Sequence, residues 1–444
     1  MPRPSSWKWW LCALLFLATM LNYMDRQTLA QLAARISAEY ELTNEQYGNL
    51  EGGFGWAFAA GGLVFGLIAD HASIRWLYPL VLIGWSMAGL ATSAADRIGQ
   101  WALDAAAGIG LVDVTSPDAH PAYWGFLTCR IVLGFFESGQ WPCALVTVQR
   151  VLAAEQRSLA NSILQSGASI GAILTPLVVQ ASVRDEAGSW RGPFWMIGLV
   201  GLMWIVPWFL LVRRGDLTRG VEPNHTLRQG EGTTNLAPLS KTQFWICFAV
   251  LGLVSSLING TWQFFRAWMP KFLHDSHGYA DRAVNYFTTA YYISTDLGCL
   301  AAGAAVTVLV AWRWRVHRAR LTVFFACALL PLLSLLVAQM SAGPALLGLL
   351  LLIGFGALAM FPNYYAFNQE LSGRHQGKIV GALTAISWAA TATMHRYVGR
   401  SIDETKSYGI GLSIAGLGPI LAWLLMVLFW QTRRKMPHGH RPSD

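Results

Sequence analysis

Apolar residues in this chain do not alternate with polar ones at strand spacing or at amphipathic-helix spacing. They run together in blocks of about 20, the length that crosses a bilayer as a helix. Twelve such blocks are predicted as spans 1 to 12, over 9–31, 50–69, 76–95, 123–148, 158–182, 193–212, 244–270, 286–312, 321–340, 344–367, 379–399 and 410–430. Glycine and proline interrupt many of them, which membrane helices tolerate where neighbours re-satisfy the backbone. The stretch 213–242 breaks the pattern, with Arg213, Arg214, Arg219, Arg228 and Lys241 among Gly, Pro, Asn and Thr. It divides two sets of six. The expected fold is therefore an all-α membrane protein of twelve transmembrane helices in two pseudo-symmetric six-helix bundles. Their boundaries are 1–212 for the N-terminal bundle, 213–242 for a cytoplasmic linker, 243–432 for the C-terminal bundle and 433–444 for a cytoplasmic tail. Lys8 before Trp9 to Met20 imitates a signal peptide, but no small-residue cleavage site follows, so this block reads as the first span.

Composition agrees: 54% of residues are hydrophobic and 13% charged, against roughly 25% charged in soluble domains, and mean hydropathy is +0.40. That excludes a disulfide scaffold, a disordered chain and a conventional soluble enzyme. The net charge of +8 suggests no nucleic acid, because the basic residues sit in short clusters between apolar blocks. With both termini cytoplasmic, 20 of the 32 Lys and Arg fall in inner segments, 9 in outer ones and 3 within the membrane. The positive-inside rule then predicts a multi-pass protein of the inner membrane, both termini cytoplasmic. The six cysteines, Cys12, Cys129, Cys143, Cys247, Cys299 and Cys327, lie in or beside apolar runs without CxxC spacing and read as small buried hydrophobes. His274 and His277, and His438 and His440, read as solvated residues rather than metal ligands; His395 and Arg396 read as interfacial. No Walker loop, GxSxG elbow or HExxH motif occurs, so no cofactor and no enzymatic activity are expected, and energy must come from an ion gradient or the cargo's own.

The two halves look related. Gly66 and Asp70 followed by Arg75 after span 2 parallel Gly303 and Thr307 followed by Arg313, Arg315, Arg318 and Arg320 after span 8, at an offset of 237. Trp141-Pro142 and Phe361-Pro362 repeat at 220, and the long outer loop 96–122 absorbs the difference. Repeated six-helix halves around a midplane site are a transporter architecture.

These features resemble the major facilitator superfamily, Gly66-Leu67-Ile68-Ala69-Asp70 standing for its loop 2–3 motif, although His71 and Ser73 occupy positions usually basic and glycine. Asn22-Tyr23-Met24-Asp25-Arg26 on span 1, Arg130 to Pro142 on span 4, Ser166 to Pro176 on span 5, Trp268-Met269-Pro270 on span 7 and Asp296-Leu297-Gly298 on span 8 resemble its anion:cation symporter branch. That branch contains bacterial hexuronate and sugar-acid transporters and vesicular organic-anion carriers. The resemblance implies coupling and binding roles for the aspartate–arginine pair of span 1 and the arginine–glutamate pair of span 4.

The residues themselves argue the same chemistry. An ionisable group at membrane depth is costly unless paired or wetted, which makes Asp25, Arg26, Arg130, Glu137 and Arg266 functional candidates. Arg130 and Glu137 are two helical turns apart on one face, about 10 Å along the axis. The offset between halves places Arg266 opposite Arg26. Three guanidinium groups are thus expected to meet in one wet cavity and hold a carboxylate bidentately. If Asp25 and Glu137 only pin helices by neutralising Arg26 and Arg130, Arg266 is left without a partner unless Asp296 serves. Apolar flanks favour the neutral form of Glu137, so its protonation is expected to free Arg130 for the cargo, with Asp25 as a second proton site. Tyr23, Gln140, Trp141, Gln165 and Asn363 are candidate contacts for a polyol, and Asn161, Asn259, Thr261, Gln263, Tyr364 and Asn368 share either that role or helix–helix hydrogen bonding.

The expected protein is a monomeric secondary carrier that moves a small organic anion, a hexuronate or aldonate, with protons by alternating access. The loop carrying Asp70 and Arg75, with the basic 313–320 loop, is expected to latch its cytoplasmic side. An organic-anion or phosphate-ester exchanger and a transport-inactive sensor are the alternatives. Its partners are lipid, protons and the anion.

Overall fold

The computed structural model describes residues 6–113, 119–152, 154–213, 215–217, 240–371 and 376–430. Most of the expected linker and the tail lie outside them. The described residues form helices and no strand. The helices join into twelve crossing units. Span 1 is Trp7–Tyr40, span 2 Asn44–His71, span 3 Ile74–Thr92, span 5 Ala154–Ser182, span 7 Lys241–His277, span 8 Asp281–Ala311, span 11 Gln376–Thr405 and span 12 Gly409–Phe429. Four spans are broken in two: span 4 (Pro121–Glu137 and Gln140–Val151), span 6 (Arg191–Met203 and Ile205–Leu211), span 9 (Val316–Leu332 and Ser334–Val337) and span 10 (Pro344–Ala359 and Phe361–Leu371).

Local sequence sets the ends. Spans 2 and 7 start at reciprocal capping boxes, Thr43 with Gln46 and Ser240 with Gln243, which satisfy orphan N–H groups. Span 7 stops at Gly278, where φ is +65° and a side chain would be strained. Ten of the twelve spans are long and apolar enough to cross a membrane by length and composition. The other two, spans 1 and 11, carry Asn22, Asp25, Arg26, Gln27 and Thr28, and Ser387, Thr391 and His395, all buried by neighbouring helices. Large side chains such as Leu67, Met203, Leu210, Leu300 and Leu428 are exposed on the perimeter, as lipid-facing residues must be.

The segment expected as an outer loop, 96–122, is in part a helix, Ala95–Gly108, folded back on the start of span 4. Glycines permit the approach: a Cβ on Gly99 would lie 1.9 Å from the Pro121 carbonyl oxygen, and one on Gly125 would lie 1.8 Å from that of Ala95. The hairpin is tied to span 6 by Arg191, whose Nη1 and Nη2 donate to Asp96 at 2.7 and 2.9 Å while its guanidinium lies 4.5 Å from the Trp190 ring centroid. Hydrogen bonds from Arg191 hold the Asp96 carboxyl below its usual range.

The start of span 1 and the end of span 6 meet at one end of the molecule, where Trp7 donates to the Leu211 carbonyl. At the opposite, distal end the two halves are clamped. Asp403 on span 11 accepts from the Asn44 and Glu45 backbone N–H groups of span 2 at 3.0 and 2.6 Å. Arg35 on span 1 pairs with Asp281 on span 8 at 2.9 Å, and the Tyr47 hydroxyl donates to the Ala267 carbonyl at 2.7 Å. Spans 2 and 11 cross so closely that a Cβ on Gly48 would sit 2.3 Å from the His395 carbonyl oxygen and one on Gly399 would sit 2.1 Å from that of Asn44. Toward mid-depth, Ser169 on span 5 donates to Asp296 on span 8 at 2.9 Å, and Phe58 meets Trp388 at 4.6 Å. Among the described residues, the polar and ring contacts between halves run from there to the distal end. The two halves are closed against each other distally.

Gly125→Ala should cost about 1–3 kcal/mol by overpacking, read as a lower unfolding midpoint in detergent; an unchanged midpoint would contradict the close hairpin. Asp96→Asn should lower the midpoint at neutral pH. Because the folded carboxyl is held below its usual range, its contribution is present above roughly pH 4 and fades as pH falls further, so the two proteins' midpoints should converge in acid.

Candidate functional site: a buried guanidinium cluster

Span 1 carries Arg26, span 4 carries Arg130 and Glu137, and span 7 carries Arg266. All are enclosed, with side-chain exposures of 5%, 1%, 0% and 1% in that order. Arg26 Nη2 and Nε lie 2.8 and 2.9 Å from Glu137 Oε2. Arg130 does not pair with Glu137. Its Nη2 donates to Glu51 Oε1 on span 2 at 3.1 Å, and Arg266 Nη2 donates to the other oxygen of the same carboxylate. Arg266 Nε donates to Gln263 Oε1 one turn earlier.

Aromatic faces complete the shell. The Arg26 guanidinium carbon lies 5.0 Å from the Tyr23 and Phe58 ring centroids, 5.2 Å from Phe54 and 5.5 Å from Trp388. The Arg130 guanidinium carbon lies 4.4 Å from Phe54, so that ring sits between two cations. Such contacts are worth about 2 kcal/mol or more when desolvated and offset part of the cost of burying the charges.

Hydrogen bonding here is incomplete. Arg130 Nε and Nη1, Arg266 Nη1 and one oxygen of Glu137 have no partner among the described residues. Asp25 is buried against span 3, where a Cβ on Gly89 would come 2.7 Å from its Oδ1, and both its oxygens are equally unmatched. Buried polar groups are normally satisfied; exceptions gathered at one place mark a site that expects another occupant.

A family model described as Major Facilitator Superfamily matches residues 15–395. The chain belongs to that superfamily. It is 22% identical to the hexuronate transporter of Escherichia coli K12 over 94% of each chain. It is 24% identical to the D-galactonate transporter of Escherichia coli O6:H1 over 82% of this chain and 80% of that one, and 24% identical to the hexuronate transporter of Bacillus subtilis over 94% and 93%. Its fold matches a D-xylose-proton symporter with a TM-score of 0.68 at 14% identity, covering 94% and 97%. It also matches a bacterial homologue of the human lysosomal transporter Spinster at 0.66 and 15%, covering 96% and 95%. As a superfamily member this protein is a multi-pass membrane transporter and not an enzyme.

Within the superfamily fold the other expected residues divide into groups. Tyr23 and Trp141 are half-buried, Trp141 against the N-terminal apolar core. Gln140 is buried and donates to Thr19 at 2.9 Å. Asn363 is buried with its amide nitrogen unmatched, and Gln165 is exposed. Arg75 donates to the Val212 carbonyl at 2.9 Å and lies over Trp76 and Phe209, bracing spans 3 and 6 of one half. The Asp70 side chain lies outside the described residues.

Several expectations are corrected. The partner of Arg266 is Glu51; Asp296 is taken by Ser169. The cluster is enclosed rather than wet in this conformation. His395 is not interfacial: it is buried, and its Nδ1 accepts from Trp268 at 3.0 Å. His274 does stand beside carboxylates, 2.9 Å from Asp275 and 3.7 Å from Asp281, although no potential metal group occurs among the described residues. Glu51 itself escaped sequence reasoning because the apolar block begins at residue 50, which puts an acid at the membrane edge. The helix starts at Asn44, so Glu51 lies seven residues in, about 10 Å deep. The missed signal was the capping box at Thr43.

Arg26→Met should cost about 3–5 kcal/mol by stranding the Glu137 charge, and adding Glu137→Gln should restore part of that. Chemical unfolding of wild type, the two single variants and the double variant measures it; simply additive losses would show that the pair is not coupled.

Proposed function

We propose that this transporter carries a small sugar-acid monoanion, a hexuronate or aldonate, together with protons, by rocking its two halves about the guanidinium cluster. One observation carries the reading. Among the described residues the three guanidiniums touch two carboxylates, Glu51 and Glu137, and N–H donors on Arg130 and Arg266 remain without a partner. A single carboxylate, held by planar forks, is the complement. The similarity to hexuronate and D-galactonate transporters supports it.

In this scheme Arg26, Arg130 and Arg266 bind the carboxylate, and Tyr23, Gln140, Trp141, Gln165 and Asn363 read the polyol. Glu137 and Asp25 carry protons. Since Glu137 pairs with Arg26, its protonation frees that arginine rather than Arg130. Asp70 and Arg75 belong to the latch of the opposite, cytoplasmic closure. The positive-inside count supports an inner-membrane protein with both termini cytoplasmic; bundles over 1–212 and 243–432, a linker at 213–242 and a monomeric state belong to the same proposal.

Proteoliposomes loaded with D-galactonate, glucuronate or galacturonate and given an acid-outside gradient test this. Wild type should accumulate at least one of them. Glu137→Gln should lose roughly tenfold or more of gradient-driven uptake while keeping counterflow. Full accumulation by Glu137→Gln removes it from coupling, and counterflow by wild type with no response to the gradient would make the protein an exchanger. Transport of none of the three overturns the substrate class.

A further inference from the structure

Glu51 has no role in the scheme so far, yet no acid in the cluster is more constrained. Its carboxylate bridges Arg130 of its own half and Arg266 of the other, fully enclosed at 0% exposure. The bridge lies two turns inside the clamped distal end, below the Asp403 cap on the first turn of span 2. A carboxylate between two guanidiniums is also the arrangement a bound organic anion needs. Cargo and Glu51 therefore compete for one seat.

Charge conservation limits how that competition can end. If cargo takes the seat, Glu51 becomes an unpaired buried charge, which costs several kcal/mol. Two ways out exist: water reaches it as the distal end opens, or it takes a proton. A loaded carrier closed at the distal end has only the second. We infer that Glu51 is a tethered counter-anion that exchanges places with the cargo carboxylate, ionised and bolting the halves in the empty distal-closed carrier, protonated in the loaded one. The balance is one anion in, one proton onto a Glu51 oxygen, and no change in the charge of the cluster. Cargo identity enters only through the reading of the anion site given above; the bolt stands without it.

The charged and titratable groups facing Glu51 are Arg130 on span 4, Arg266 on span 7, His395 on span 11 and Tyr47 one turn before it on span 2, with Tyr292 on span 8. His395 is the one imidazole among them, and its Nδ1 already accepts from Trp268. The test therefore includes a variant at this position.

Two measurements separate the parts. Ser401 is buried on span 11 near the distal end. In a chain with its native cysteines replaced, Ser401→Cys reports distal opening through its labelling rate with a membrane-impermeant maleimide. Glu51→Gln should label several-fold faster without any ligand, and Glu51→Asp, the control should the amide disturb folding, should fall between. The second measurement is D-galactonate affinity between pH 6 and 8 by thermal shift. One linked proton weakens wild-type binding by up to about tenfold per pH unit; Glu51→Gln should bind more tightly and lose about one proton of slope, whereas His395→Gln should keep it. Unchanged labelling together with an unchanged slope overturns the inference. Faster labelling with no binding of any sugar acid keeps the bolt and sinks the substrate reading instead.

Discussion

Guanidinium groups cannot shed their charge by losing a proton at any physiological pH, so a membrane protein that buries three of them must supply counter-charge at the same depth. Much else in this fold stems from that demand. Spans 1 and 11 are less apolar than the other ten, and both contribute to the cluster, through Arg26 and Trp388. Phe54 is flanked by Arg26 and Arg130. Glu51 and Glu137 sit where water could not stabilise them without their arginines. Removing any one charge leaves its partner stranded, which ties helix packing to electrostatics throughout the centre.

The same demand links the site to the closure of the distal end. Most of the cluster belongs to the N-terminal half, and Arg266 reaches it from the other half through one carboxylate. Around that bridge the seal is made of close backbone crossings at Gly48 and Gly399, an aspartate capping a helix of the opposite half, and a tyrosine hydroxyl on a carbonyl. Glycine contacts and helix caps are short-range and geometrically exacting. They form together or not at all, which suits an interface that must alternate between two packings.

The architecture was largely legible in the sequence because hydrophobic runs of membrane length are a strong signal, and the halves repeat. The convergence of Arg26, Arg130 and Arg266 followed from helix direction and internal symmetry. Their pairing did not. Spacing along one helix suggested that Arg130 and Glu137 belong together, but residues seven apart are separated by two turns, beyond the reach of a hydrogen bond, and each found a partner on another helix. His395 reads as interfacial and Glu51 draws no reading at all, because hydropathy blocks end where polar residues begin. Capping boxes and packing show the helices running further. Likewise, the helix Ala95–Gly108 lies in a stretch with too few apolar residues to register as a span, although Gly99 and Gly125 mark its close packing. Pairing across helices depends on helix rotation, which one sequence constrains weakly.

The account comes down to an exchange of carboxylates at Arg130 and Arg266, one belonging to the protein and one to the cargo. A structure of the protein determined with a bound sugar acid tests this most directly. The account predicts the cargo carboxylate within hydrogen-bonding distance of both guanidiniums, with the Glu51 side chain withdrawn from at least Arg266. A cargo carboxylate bound elsewhere, with the Glu51 bridge intact, would contradict it.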